Sequence, residues 1–123
     1  MTKRISEAEL DVMEALWARP NAMTAMEVAD AVPAERGWSL PTVKTMLSRL
    51  VAKNAVGHRQ DGRRYLYSAA IDRADYVGDE SKRLVERLFG GKLSPLVAHL
   101  AEADALSAED VAEIEDMLKA LKK

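Results

Sequence analysis

Between Trp38 and Tyr67 the chain changes from a helical period to a strand period within one short stretch, and this change constrains the fold more than any other feature. Ser39 is a helix N-cap, and Pro41 falls in the first turn, where a missing N–H is harmless. Val43, Met46, Leu47, Leu50 and Val51 then recur at i, i+3, i+4, i+7 and i+8 and form one apolar face. Pro41, Thr42, Thr45, Ser48, Arg49 and Ala52 point the other way, with Lys44 and Lys53 on the flanks. Solvated helices of this length mostly turn Glu, Lys and Gln outward. This one turns out small hydroxyls with no acid, which suits a surface within reach of phosphates and base edges. Asn54 suits the left-handed position that ends such a helix.

Two strands are predicted next, near 56–60 and 64–68, joined around Asp61-Gly62 in a tight hairpin. Tyr65 and Tyr67 share one face and Leu66 the other, and the rings are expected to pack the sheet rather than stack on bases. Arg59, Arg63 and Arg64 lie at or near the tip. A short helix followed by a basic hairpin is the arrangement of a winged helix-turn-helix, with the helix in the major groove of double-stranded DNA and the hairpin against the backbone.

The net charge of −2 argues against a polyanionic partner only until it is mapped. Residues 36–69 hold seven cations (Arg36, Lys44, Arg49, Lys53, Arg59, Arg63 and Arg64) against Asp61 alone, a net +6. Residues 70–123 hold eight cations against twelve acids, a net −4. A basic middle and an acidic tail imply two jobs. The length of 123 residues suits one domain, or a small domain with an appendage. There are no cysteines, which removes disulfides and thiol chemistry and fits a reducing cytoplasm. No run approaches the roughly 18 apolar residues of a membrane span. Lys3 and Arg4 precede no apolar core, so neither membrane insertion nor a signal peptide is expected.

Upstream, Ser6 with Glu9 makes a capping box, and Leu10, Met13, Leu16 and Trp17 stripe the helix it opens. Pro20-Asn21 ends that helix, 22–24 is a short extended link, and Thr24 with Glu27 opens a second helix running to about Val32. Downstream, Val77, Leu84, Val85 and Leu88 stripe a helix that stops at Gly90-Gly91; Leu93, Leu96, Val97 and Leu100 stripe a shorter one. Ser107 with Asp110 opens a last helix whose Val111, Ile114, Leu118 and Leu121 form an a/d seam. Narrow apolar stripes with no thick core predict a dimerisation element, carried by Leu96, Val97, Leu100, Val111, Ile114, Leu118 and Leu121, against the alternative of packing within one chain. The expected fold is mostly α with a small β-wing. A winged-helix DNA-binding domain spans 1–70 and a helical dimerisation domain 71–123.

Catalysis finds little support. His58 and His99 are far apart and form no metal-ligand pair. Gly90-Gly91-Lys92 is like a phosphate loop, but Glu86 stands where the leading glycine is required, so the pair is a helix stop. Glu109, Asp110, Glu113, Glu115 and Asp116 lie on the early and middle turns of the last helix, and the first of them suit its dipole. No enzyme activity, cofactor or metal is expected. Two classes remain: a homodimeric, sequence-specific DNA-binding repressor, or a winged-helix module for protein contacts. A protein-binding module would place apolar or aromatic anchors on the outward helix face; Thr42, Thr45, Ser48 and Arg49 are not such anchors.

The order of these pieces resembles the penicillinase-repressor family, which includes β-lactamase, methicillin-resistance and copper-responsive repressors. The matching stretches are Ser6 to Met13 with Leu16-Trp17, Thr42 to Leu50, Tyr65-Leu66-Tyr67, Gly90-Gly91 and Leu106-Ser107. The resemblance implies a winged-helix domain, a helical dimerisation domain and repression from a palindromic operator. In the antibiotic-responsive members it also implies a sensor-linked protease that leads to cleavage in the dimerisation domain. That position aligns near His99-Leu100, where those members carry Asn-Phe. The copper-responsive members carry a C-terminal cysteine cluster, which this chain lacks.

Overall fold

The computed structural model describes residues 4–122. Helices α1 (Glu7–Trp17), α2 (Ala25–Ala31) and α3 (Leu40–Ala52) precede a hairpin of β1 (Val56–Asp61) and β2 (Arg64–Ala69). Helices α4 (Arg73–Phe89), α5 (Ser94–Glu102) and α6 (Ala108–Leu121) follow. The fold is therefore mostly α with a small β-wing, as expected.

The helix starts are set locally. Capping boxes form at Ser6/Glu9, Thr24/Glu27 and Ser107/Asp110, each satisfying two backbone N–H groups reciprocally. At Ser39 the hydroxyl accepts from Thr42 N–H, and Pro41 occupies the first turn of α3. At the other end of α3, Asn54 takes φ +64° and Ala55 N–H reaches back to Leu50 O at 3.0 Å, the closure of a Schellman motif.

The hairpin is antiparallel, with Val56 opposite Ala69, His58 opposite Tyr67 and Asp61 opposite Arg64. The turn residues are thus Gly62 and Arg63, one place later than Asp61-Gly62. Gly62 has φ +67° at the first central position, where a two-residue hairpin loop favours glycine. The extended link at 22–24 also pairs: Met23 and Tyr67 exchange backbone hydrogen bonds of 2.8 and 2.7 Å. This single rung fastens the base of the wing to the segment between α1 and α2.

Among the described residues, all fully or nearly buried apolar side chains fall between Ile5 and Val56. Val12, Met13, Met23, Val28, Val43, Leu47 and Leu50 form the centre, each worth roughly 1.5–3 kcal/mol by burial. The buried face of α1 is rotated from the expected one. Val12, Met13 and Leu16 are buried, while Leu10 and Trp17 are only partly so. Glu9 lies on the buried side as well, at 3% exposure and paired with Lys53.

Two compact units result, ending and starting at Tyr76 and Val77. Trp17 carries the first unit past Ala70. Its indole N–H donates to Ile71 O at 3.0 Å and its ring lies 5.8 Å from that of Tyr76. Arg73 adds a two-pronged pair with Glu14 at 2.7 and 3.1 Å, which holds the Glu14 carboxyl below its usual range. In the second unit no described side chain is buried.

Candidate nucleic-acid interface

The core face of α3 is pinned by Val43, Leu47 and Leu50, which turns Pro41, Thr42, Lys44, Thr45, Ser48 and Arg49 outward. Their hydroxyls are not equivalent. Thr45 Oγ1 donates back to Pro41 O at 3.0 Å, and Thr42 Oγ1 lies 3.0 Å from Ser39 Oγ. Among the described residues Ser48 Oγ makes no hydrogen bond, so of the three it is the one uncommitted donor. Thr45 offers its methyl instead, a group suited to a thymine methyl.

The seven cations of the basic stretch divide the same way. Arg36 donates to Asp11 at 2.7 Å and lies 5.2 Å from the Trp38 ring centroid. Lys53 leaves the flank of α3 altogether: its Nζ donates to Glu9 Oε1 and to Arg4 O. Arg64 pairs with Asp61 at 3.2 Å, and its charge also helps keep the Glu27 carboxyl low, after the Thr24 cap that dominates there. Lys44, Arg49, Arg59 and Arg63 form no ion pair among the described residues. These four are the cations available to a polyanion, with Lys44 and Arg49 on α3, Arg63 at the hairpin tip and Arg59 on β1.

His58 lies 5.3 Å from the Tyr65 ring and 6.1 Å from the Tyr67 ring, on the face of the wing that looks toward α3. Alternation along the sequence places the two tyrosines together, but only the strand register brings His58 between them. In the second unit the proposed dimer residues are open: Val97 is 36% exposed, Leu100 37%, Val111 42%, Leu118 50% and Leu121 80%, with Leu96 and Ile114 half-buried. Among the described residues there is no cluster of metal-ligating side chains, and no helix is long and apolar enough to cross a membrane.

Three helices with the third presented outward beside a basic hairpin define the winged helix-turn-helix class. The chain belongs to the penicillinase repressor family, whose model matches residues 5–120. It is 34% identical over 116 residues to the penicillinase repressor of Bacillus licheniformis, covering 94% of this chain and 90% of that one. It is 26% identical over 117 residues to the methicillin resistance regulatory protein MecI of Mammaliicoccus sciuri, covering 95% and 94%. The solved DNA-binding domain of the repressor BlaI aligns with a TM-score of 0.53 at 38% identity, over 62% of this chain and 94% of that domain. The monomeric form of Bacillus licheniformis BlaI in complex with the blaP half-operator aligns at 0.52 and 37%, over 62% and 92%. Wild-type MarR of E. coli, at 21% identity and a TM-score of 0.52 over 95% of this chain and 77% of that one, shares the fold.

Proposed function

We propose that this chain is a homodimeric transcriptional repressor that binds a palindromic DNA operator in the cytoplasm and performs no catalysis. The observation that carries the reading is the outward face of α3: exposed, free of acids, with Lys44 and Arg49 unpaired and small side chains between them. A solved relative at 37% identity is bound to a half-operator, which supports the same use of the first unit. α3 enters the major groove. Arg49 reads a guanine edge, Lys44 holds a phosphate, and Pro41, Thr42, Thr45 and Ser48 fill the space between. Arg49→Ala is expected to cost roughly 1–3 kcal/mol on the operator, with much less loss on random DNA. Titrating both DNAs with the folded variant checks this, and undiminished operator preference would refute the guanine contact.

The wing is a backbone clamp, and its arginines are unequal. Arg63→Ala should weaken operator and random DNA alike. It should also flatten the plot of log K against log salt by up to about 0.9, the effect of leaving one phosphate without its cation. Arg64→Ala should flatten it less, because Asp61 already engages that guanidinium. Equal slopes for both variants would overturn this ranking.

The second unit holds the dimer, through Leu96, Val97, Leu100, Val111, Ile114, Leu118 and Leu121. Its apolar residues lack a core of their own, and contiguous exposed apolar surface marks an interaction site. A twofold dimer places two α3 helices in half-sites about one turn of DNA apart, or a multiple of that. A sensor-linked protease acting near His99-Leu100 would detach α6 and with it Leu118 and Leu121. Both positions lie inside α5, so the bond opens to a protease only when that helix unwinds.

A further inference from the structure

The cleft between the second half of α3 and the wing shares only Ser48 with the contacts above. Ser48 and Val51 form one wall; His58, Tyr65 and Tyr67 form the other, around an open space of about 210 Å³. The Tyr65 and Ser48 hydroxyls and the His58 ring nitrogens make no hydrogen bond among the described residues, and Tyr65 is 46% exposed. No carboxylate lines the cleft; Asp61, the one acid of the hairpin, pairs with Arg64. The three rings supply apolar faces and Val51 adds a methyl-lined edge.

Resting on the DNA-binding reading, we propose that this cleft seats one phosphate and its deoxyribose from the operator backbone. The Tyr65 and Ser48 hydroxyls donate to the phosphate, and the rings pack against the sugar. Ser48 belongs both to the outward face of α3 and to the cleft wall, so a strand held along that face passes the cleft mouth. Neutral hydroxyls of Ser and Tyr are ordinary phosphate and sugar partners in protein–DNA interfaces. Free ligands of drug size occupy clefts of roughly 300–1,000 Å³. This smaller space, with no charged group to anchor a small anion, fits instead a segment of a larger molecule already held by Lys44, Arg49 and Arg63.

The test uses full-length Tyr65→Phe and Ser48→Ala, whose folding is checked by circular dichroism. Binding is measured to a duplex that the wild-type protein selects from a random pool and to a mixed-sequence duplex. Each variant should bind both duplexes roughly three- to tenfold more weakly, the effect of one hydrogen bond. The salt slope should stay unchanged, because no charge is removed. A scan of single methylphosphonate replacements should then find one position that weakens the wild-type protein but adds nothing to the Tyr65→Phe loss. Wild-type affinity in both variants, a loss confined to the selected duplex, or strict additivity at every phosphate would each overturn the cleft assignment. A wild-type protein that selects and binds no duplex would overturn the DNA-binding reading itself.

Discussion

A chain ending after Tyr76 is expected to fold, to remain monomeric, and to bind operator roughly a hundred- to ten-thousandfold more weakly than the full chain. Folding follows from where the core lies: every buried apolar side chain among the described residues falls between Ile5 and Val56, and the Trp17, Ile71 and Tyr76 contacts close its edge. Ending at Ala70 would strip the Ile71 acceptor from the indole and the Arg73 partner from Glu14, so that shorter chain should melt lower. The affinity loss follows from avidity, since a linked second copy binds its half-site at high local concentration without any new contact. Full-length Leu118→Glu/Leu121→Glu should behave like the truncated chain, because two carboxylates in an apolar interface oppose association. Sedimentation of all three proteins, paired with operator titration, decides the matter. A full-length protein that is monomeric at micromolar concentration, or a truncated one that binds as tightly, would end the dimer-coupled mechanism.

The second large effect is on stability and falls at a residue that the sequence places beside the DNA face. Lys53→Ala is expected to cost about 2–3 kcal/mol of folding free energy while leaving operator affinity unchanged well below its melting temperature. The Lys53 side chain is 21% exposed and that of Glu9 4%. Removing one partner of a buried pair costs about 3–5 kcal/mol, and the partial exposure of Lys53 lowers that figure. Without Lys53 the carboxylate would keep only the Ser6 N–H on Oε1, since Glu9 Oε2 is buried with no partner among the described residues. Changing both, as Glu9→Gln/Lys53→Met, should cost less than Lys53→Ala alone, since no charge is then stranded.

The same pair predicts a pH dependence. Burial by itself raises the Glu9 pKa, but Lys53 and the Ser6 cap outweigh it and hold the carboxyl below its ordinary value. A pKa depressed in the folded state stabilises fully above the unfolded value, about 4.3, and that stability is lost as pH falls through the folded value. Melting of wild-type protein should therefore drop on acidification below about pH 4. The gap between wild type and Lys53→Ala should be widest near neutrality and narrow in acid, where a protonated Glu9 no longer needs its cation. A gap that is constant with pH, or a variant that melts normally but binds DNA poorly, would return Lys53 to the DNA face.

Much of this was legible from the chain alone, for a physical reason that differs from element to element. The starts at Ser6, Thr24, Ser39 and Ser107, the turnover at Asn54 and the stop at Gly90 are all decided within a few residues, by hydrogen bonds between near neighbours or by one backbone angle. The apolar face of α3 and the hairpin depend only on period and turn chemistry, so they too can be read locally. What the tertiary structure alone decided is which polar groups remain available. Lys53 meets Glu9 across 44 positions, Arg36 meets Asp11 across 25, and Trp17 reaches Ile71 across 54. Counting charge along the sequence treats all seven cations of the basic stretch alike, but an ion pair is made in space. Folding silences Arg36 and Lys53, engages Arg64, and leaves Lys44, Arg49, Arg59 and Arg63 to face a partner. It also brings His58 between two tyrosines beside Ser48, a juxtaposition that needs both the strand register and the packing of α3 against the wing.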